Sequence, residues 1–511
     1  MIKTNKWIIA LAVVLPTLLE VIDTSVVNVS LDHIRGSLSA GFDEATWAIT
    51  AYLVSNAIII PLTGWLSRCF GRKRYLIFSV VLFTFSSFMC GSAQTMSALI
   101  IFRIIQGIGG GALQPLSQAI LFETFPPAEY GMAMALFGIG VMVGPIVGPV
   151  LGGWITDNWS WNWIFYINIP IGIISVFIIM LLIKDPPYLK RIKEKIDYWG
   201  LALIVVGIGC LQVILDKGQR EDWFSSAFIM RLAIISIIAL ITFVIVELKV
   251  KDPVLNLREF KDLSFTSANI IQCAAFFVLF ASILLLPMYL QQLMGYNAFL
   301  SGLALSPGGI ATLCIMPVAG KLITKVSPKI VLVCGLLITA YSIFMMSHFN
   351  LSIDFNTVGM SRIIMGIGMG LIFVPLSCMA FSTISKERMG NATSIFSLLR
   401  NVSGSFGVAV MTTLIARRAQ FHQFRLSEHI TPFDLKYQVG IQKTVAALGP
   451  QAADVNNMAA HGVIYQQLVR QASLFSFTDA FYFSTMIMLC VIPLVLFLKP
   501  PKGAIIAQGV H

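Results

Sequence analysis

RIIQGIGGG at residues 103–111 returns as RIIMGIGMG at residues 362–370, an offset of 259. Both copies open with an arginine inside a long apolar run. An arginine near the centre of a membrane helix costs about 2.5–3.5 kcal/mol on insertion scales, and such residues usually face a cavity or a partner. The echo extends beyond these nine letters. Gly107, Gly109 and Gly111 match Gly366, Gly368 and Gly370, and Gly131 and Ala133 match Gly390 and Ala392. The stretch PLTGWL at 61–66 has a counterpart in PVAGKL at 317–322, at an offset of 256. Three glycines and an arginine at one offset point to an internal duplication rather than to apolar low complexity.

The surroundings say what is duplicated. Apolar residues make up 57% of the 511 residues and charged residues 12%, against roughly 45–50% and about 25% in soluble domains. Fourteen apolar segments recur, near 7–29, 46–66, 75–94, 97–121, 131–153, 163–183, 199–215, 229–248, 265–289, 301–323, 330–347, 357–383, 390–416 and 475–498. Each is long enough to cross a bilayer as a helix that satisfies its own backbone. The first exceeds a signal-peptide core, lacks a small-residue cleavage site and carries Glu20 and Asp23. Spans one to six resemble the last six, and spans seven and eight sit between them. A pair of inserted spans leaves the second half in the orientation of the first, so the repeats are parallel. Parallel six-helix halves are a transporter architecture with the site at the repeat interface. The expectation is an all-α membrane protein with two six-helix bundles and two extra central helices. The expected division is 1–183 for the first bundle, 184–262 for the linker with the added spans, 263–498 for the second bundle and 499–511 for a tail.

The net charge of +11 belongs to this topology. Basic residues cluster in alternate connections: Arg68, Arg72, Lys73 and Arg74; Lys184, Lys190, Arg191, Lys193 and Lys195; Lys249, Lys251, Arg258 and Lys261; Lys321, Lys325 and Lys329. The positive-inside rule then puts both termini in the cytoplasm, with these residues facing anionic lipid rather than nucleic acid. The one long polar segment, 417–474, falls on the other side. It reads as a surface loop or as a docking element for a partner, with short helices possible in QAADVNN and IYQQLVRQ. The eight cysteines are scattered without a CxxC pair, and the histidines lack ligand spacing. No catalytic triad, P-loop or dinucleotide fingerprint occurs, so neither an enzyme, a metal nor a cofactor is expected.

The chemistry is expected in the first half. Arg103, Gln106, Gly110 and Gln114 follow at helical spacing and share a face. Asp23 lies at matching depth in span one and is the partner named for Arg103, with Glu20 one turn away. Two carboxylates in a low-dielectric cavity resist double ionisation, which makes Asp23, Glu20 and Arg103 the expected proton-coupling set. A static ion pair between two helices is the competing reading. Asn28, Gln106, Gln114, Arg400 and Asp479 are expected around a substrate cavity. Arg362 lies a turn or so deep and is expected to snorkel. In span five, GIGVMVGPIVGPVLGG carries Gly140, Gly144, Gly148 and Gly152 every fourth residue, interleaved with Pro145 and Pro149. Such a stripe lets helices approach closely, and the prolines bend the axis, so a close-packed hinge is expected.

With these residues in view, the chain resembles the fourteen-span drug:proton antiporters of the major facilitator superfamily, the EmrB-type multidrug exporters. IDTSVVNVSL around Asp23, RIIQG at Arg103 and the span-five glycine–proline motif carry the resemblance. WIFYINIPIG at 163–172, LQVILDKGQREDWFSS at 211–226 and LPMYLQQLMGYNAFLSGLALSPGG at 286–309 extend it along the chain. The loop after span two departs from the family pattern. GWLSRCFGR keeps Gly64, Leu66, Gly71 and Arg72 but has Arg68 where an aspartate is expected, so Arg68 needs other partners. The resemblance implies proton-driven export of hydrophobic, often cationic or weakly acidic compounds across a bacterial inner membrane, without a cofactor. It further implies a periplasmic adaptor and an outer-membrane channel as partners. A dedicated exporter of a single metabolite and a non-transporting receptor on the same fold are the alternatives.

Overall fold

The computed structural model describes residues 5–185, 197–250, 253–428, 430–431, 433–448 and 458–500, apart from the side chains of Phe42, Pro145, Pro149 and Ala298. Lys190, Arg191, Lys193, Lys195 and Lys251, the QAADVNN stretch and residues 501–511 lie outside the described residues.

Among the described residues, fourteen helices are long and apolar enough to cross a membrane, and no strand occurs. Spans one to seven are Lys6–Ser37, Asp43–Phe70, Arg72–Gly91, Met96–Thr124, Pro127–Asn158, Trp163–Leu182 and Tyr198–Lys217. Spans eight to fourteen are Ala227–Lys249, Leu263–Gln292, Phe299–Leu322, Pro328–Met346, Phe355–Ala380, Met389–Glu428 and Met458–Phe497.

Spans one to six pack on one another: one with five and six, two with four, three with four and six. The last six repeat the pattern, nine with thirteen, ten with twelve, eleven with twelve and fourteen. The duplicated glycines explain the shared geometry. A Cβ on Gly107 would lie 2.6 Å from the Tyr52 carbonyl, and one on Gly366 would collide with the Gly308 carbonyl. Spans two and four, and spans ten and twelve, therefore touch backbone to backbone through the same motif. Spans seven and eight pack together, and span seven lies against spans two and thirteen.

The two bundles meet through span five with span ten and span two with span thirteen. At the face carrying the basic connections, called the basic face below, this contact is tight. A Cβ on Gly64 would sit 2.9 Å from Asn391 Cα, and one on Gly131 would sit 2.7 Å from the Gly320 carbonyl. Aromatic rings fill the rest: Phe122 lies 4.7 Å from Phe381, which lies 5.0 Å from Phe396. The bundles are closed together here, and the space between them lies toward the opposite face.

Three elements differ from the sequence expectation. Span one runs to Ser37 rather than ending near residue 29, because the helix continues past its apolar part with Asp32, His33 and Arg35 exposed or half-buried. Span four is two helices, Met96–Gly110 and Leu113–Thr124, joined by a turn at Gly111–Ala112. Three consecutive glycines hold a helix poorly, and a Cβ on Gly111 would lie 2.6 Å from the Asn56 carbonyl. The segment 417–474 is not an independent loop. Its first part continues span thirteen to Glu428, and IYQQLVRQ is the start of the span-fourteen helix Met458–Cys490. The forty residues of span thirteen reach about 60 Å, twice the roughly 30 Å of a bilayer core, so the pair projects as a helical hairpin. Helix Leu435–Leu448 packs on it through Tyr437, whose hydroxyl lies 2.5 Å from His461 Nδ1. Polar side chains carry both helices past the apolar stretch, and hydropathy alone reads that as a loop.

Candidate functional site: a buried ion pair beside a cavity between the halves

Arg103 reaches Asp23 from span four to span one. Its Nη1 donates to Asp23 Oδ2 at 2.6 Å, and its Nε to the Ala48 carbonyl at 3.1 Å. Gln106 Nε2 and Asn168 Nδ2 donate to Asp23 Oδ1 at 2.9 and 2.7 Å. Gln106 Oε1 accepts from Arg103 Nη1 at 2.7 Å, and the guanidinium lies 4.2 Å from the Tyr52 ring centre. Asp23 is 0% and Arg103 1% exposed. A buried charge pair needs this degree of saturation, because each ion has lost its hydration. Neither residue lines the cavity, and neither does Gln106.

Glu20 does. One turn before Asp23, it faces a cavity of about 420 Å3 between the bundles. Gln114 Nε2 donates to Glu20 Oε2 at 2.5 Å, and Asn56 Nδ2 to Oε1 at 3.2 Å. The carbonyl of the same Gln114 accepts from Arg400 Nη2 of span thirteen. A single amide thus joins a carboxylate of the first half to a guanidinium of the second. The turn at Gly111 allows this: Gln106 points into the first bundle, whereas Gln114, beyond the turn, points into the cavity. The single face expected for Arg103, Gln106 and Gln114 is thereby split.

The other predicted positions divide similarly. Asn28 lines the cavity. Asp479 does not; it pairs with Arg418 Nε at 2.5 Å and His422 Nε2 at 2.7 Å, where the extension of span thirteen passes span fourteen. Arg362 does not snorkel. It is 5% exposed, lines the cavity and donates from Nη1 to Ser282 Oγ at 3.0 Å. Gly140, Gly144, Gly148 and Gly152 press against Val14, Val21, Ser25 and Val26 of span one. The helix runs unbroken through this stripe, and the side chains of Pro145 and Pro149 lie outside the described residues.

At the basic face, Gly71 turns the chain into span three at φ +87°. Asp185 accepts from the Lys73 amide at 2.8 Å. Arg68 donates to the Pro253 carbonyl at 3.5 Å, and buried Arg72 pairs with Glu123. Nearby, Asn256 and Asn391 exchange two hydrogen bonds, and Arg388 reaches Glu259 at 3.0 Å. Burial pushes the Glu259 carboxyl above its ordinary value, against the pull of Arg388.

Several site residues escaped the sequence reading. Asn168 sits in WIFYINIPIG, and its amide in so apolar a run was the available signal. Asp216 and Gln212 of span seven also line the cavity, and they bond to Thr50 and to Ser405 on opposite sides of it. Nothing in spacing alone brings a linker helix there.

Comparison with known proteins agrees with this architecture. The family model described as Major Facilitator Superfamily matches residues 13–408. The chain is 35% identical to the multidrug export protein EmrB of Haemophilus influenzae, over 97% of this chain and 96% of that protein. It is also 35% identical to EmrB of Escherichia coli strain K12, with the same two coverages. Among solved structures, the human organic anion transporter MFSD10 superposes with a TM-score of 0.64 at 13% identity, covering 96% of this chain and all of that one. That likeness carries the fold alone. A duplicated six-helix bundle, a cavity at the repeat interface and near-full-length similarity lead to one conclusion: the chain belongs to the major facilitator superfamily, with the EmrB-type exporters.

Proposed function

We propose that this protein is a proton-coupled multidrug efflux transporter. The observation that carries the reading is the Glu20–Gln114–Arg400 chain, which ties a titratable group in the cavity wall to the opposite bundle. Glu20 exchanges a proton with the cavity, and the charge change weakens or restores its hold on Gln114 and thus on Arg400. Asp23 and Arg103, one turn behind, form the second titratable element; a proton on Asp23 frees a guanidinium from its main counter-ion. Binding between the halves and closure at the basic face support alternating access by rocking of the bundles, with the span-five glycine stripe and the flanking prolines as hinge. Residues 1–183 and 263–498 are the moving halves, and 184–262 the strap between them.

The basic connections support an inner-membrane protein with cytoplasmic termini. A proton entering along the potential then contributes about 2.3 kcal/mol per 100 mV. The projecting hairpin of spans thirteen and fourteen, on the periplasmic side in that orientation, is the surface we assign to an adaptor that leads to an outer-membrane channel.

The test is efflux of a fluorescent drug from proteoliposomes under an imposed proton gradient. Glu20→Gln and Asp23→Asn are expected to lose gradient-driven efflux while still inserting in the membrane. Undiminished efflux in Glu20→Gln would remove this residue from coupling, and gradient-independent efflux by the unaltered protein would overturn the reading.

A further inference from the structure

The two halves hold the same arginine in the same way but with different partners. Arg103 Nη1 donates to Asp23, 80 residues earlier, and to Gln106, three later. Arg362 Nη1 donates to Ser282, again 80 residues earlier, and to Met365 Sδ, again three later, at 3.0 and 3.1 Å. The repeat has kept the positions and removed the charge: a serine stands for the carboxylate and a thioether for the amide. Tyr52, which covers the Arg103 guanidinium, corresponds at the span-two offset of 256 to Gly308. A Cβ there would lie 2.6 Å from the Arg362 carbonyl, so no ring can be carried at that point. The Nε of Arg103 has the Ala48 carbonyl, whereas the Nε of Arg362 has no partner among the described residues.

The consequence is a buried cation without a counter-ion. Among the described residues no carboxylate pairs with Arg362, and it lines the cavity that Arg103 does not reach. Arg400, 7% exposed in the same cavity wall, meets the Glu20 carboxylate only through Gln114, and among the described residues its Nη1 has no partner. Its counterpart in the first half, 259 residues earlier, is Val141, so this second charge has no repeat ancestor in the present chain. Phe276, Leu279, Phe280, Ile283 and Met369 form the apolar part of the same wall. An uncompensated buried guanidinium is costly, and a planar anion is the ligand its donor geometry fits.

We propose that Arg362 and Arg400 form an anion subsite, in which the carboxylate or sulfonate of an amphipathic organic anion supplies, from the cavity, the counter-ion that Asp23 supplies to the repeat's other arginine, and its apolar body lies against the phenylalanine wall. This assigns recognition of an anionic group in the cavity to named residues and rests on the proposed transport reading. The first half carries the proton-responsive acids, and the second half carries the charge that recognises the cargo.

The experiment compares two matched fluorescent probes, 1-pyrenebutyrate and 1-pyrenebutyltrimethylammonium. Binding to the full chain in nanodiscs is read by energy transfer from tryptophan, with empty discs subtracted and no proton gradient. The unaltered protein is expected to bind the carboxylate. Ser282→Asp, which supplies the missing counter-ion internally, is expected to lower the ratio of carboxylate to ammonium affinity tenfold or more. Arg362→Gln should do the same, and Arg362→Lys should recover part of the loss, because it restores charge without the planar fork. If Ser282→Asp does not unfold cooperatively, the two Arg362 variants carry the test. Absence of carboxylate binding in the unaltered protein, or an unchanged ratio in Ser282→Asp and Arg362→Gln, overturns the subsite. Gradient-driven transport of either probe, measured separately in proteoliposomes, bears on the transport reading. A subsite without transport and transport without a subsite are therefore distinguishable.

Discussion

Arg103 and Asp23 form an ion pair of 2.6 Å that is sealed from the cavity, while Glu20, one helical turn away, lies open to it. The acid that pairs with the buried arginine and the acid that meets the cargo are thus separate residues. Asp23→Asn leaves the Arg103 guanidinium buried with only neutral partners. The expected loss is about 3–5 kcal/mol, the scale for breaking one side of a buried pair. Asp23→Asn with Arg103→Gln should be less destabilised than Asp23→Asn alone. Thermal unfolding of both variants in detergent measures it, and a double variant no more stable than Asp23→Asn alone would show that the pair is not the main term.

Closure at the basic face depends on Gly64. Its missing side chain lets span two rest on Asn391 at a distance where a Cβ would come to 2.9 Å of backbone. Gly64→Val should separate spans two and thirteen there and favour conformations open to that face. Spin labels at Phe70 and Lys386, both exposed and on opposite bundles, should report a longer mean distance in the variant. An unaltered distribution would mean that the closure rests elsewhere.

Gln114 carries the link between the halves. Gln114→Leu removes a hydrogen bond to a charged group at each end, worth about 1.5–3 kcal/mol apiece. Substrate-induced proton release from purified protein should fall tenfold or more, whereas Gln114→Asn, shorter by one methylene, should retain only part of it. Release at the normal level in Gln114→Leu would leave Glu20 acting independently of Arg400.

Glu259 gives a pH signature at the basic face. Its folded carboxyl sits above the ordinary 4.5 because burial disfavours the charge. The proton is therefore held more tightly in the folded protein. The stabilisation this provides is complete below about pH 4.5 and is lost as pH rises through the raised value. Relative to Glu259→Gln, the unaltered protein should gain thermal stability on acidification from pH 7. Arg388→Ala should be less stable than Glu259→Gln at pH 7, because it leaves the buried carboxyl without the guanidinium that offsets its burial. Parallel pH profiles for the unaltered protein and Glu259→Gln would contradict the assignment.

Much of the contact between Arg103 and Asp23 was legible in the sequence, for an energetic reason. A charge in an apolar span needs a partner, and only one carboxylate stood at matching depth. The choice between Asp23 and Glu20 as the cavity acid was not legible, because they are three residues apart and helix rotation decides which faces inward. Gln114 shows the same limit: helical spacing placed it with Gln106, and a turn at Gly111–Ala112 moved it to the cavity. The second arginine illustrates the opposite case. Its repeat position was plain, but its burial and its serine partner came only from packing of span nine against span twelve.

By itself the sequence determined the number of spans, the duplication, the two added helices and the glycines through which helices pack within each half. These follow from hydropathy and backbone approach, which are properties of local segments. Tertiary structure alone decided which charges are neutralised inside a bundle and which face the space between bundles. Those outcomes depend on helix rotation, on one loosened turn and on what lies across the interface, and no local pattern records them.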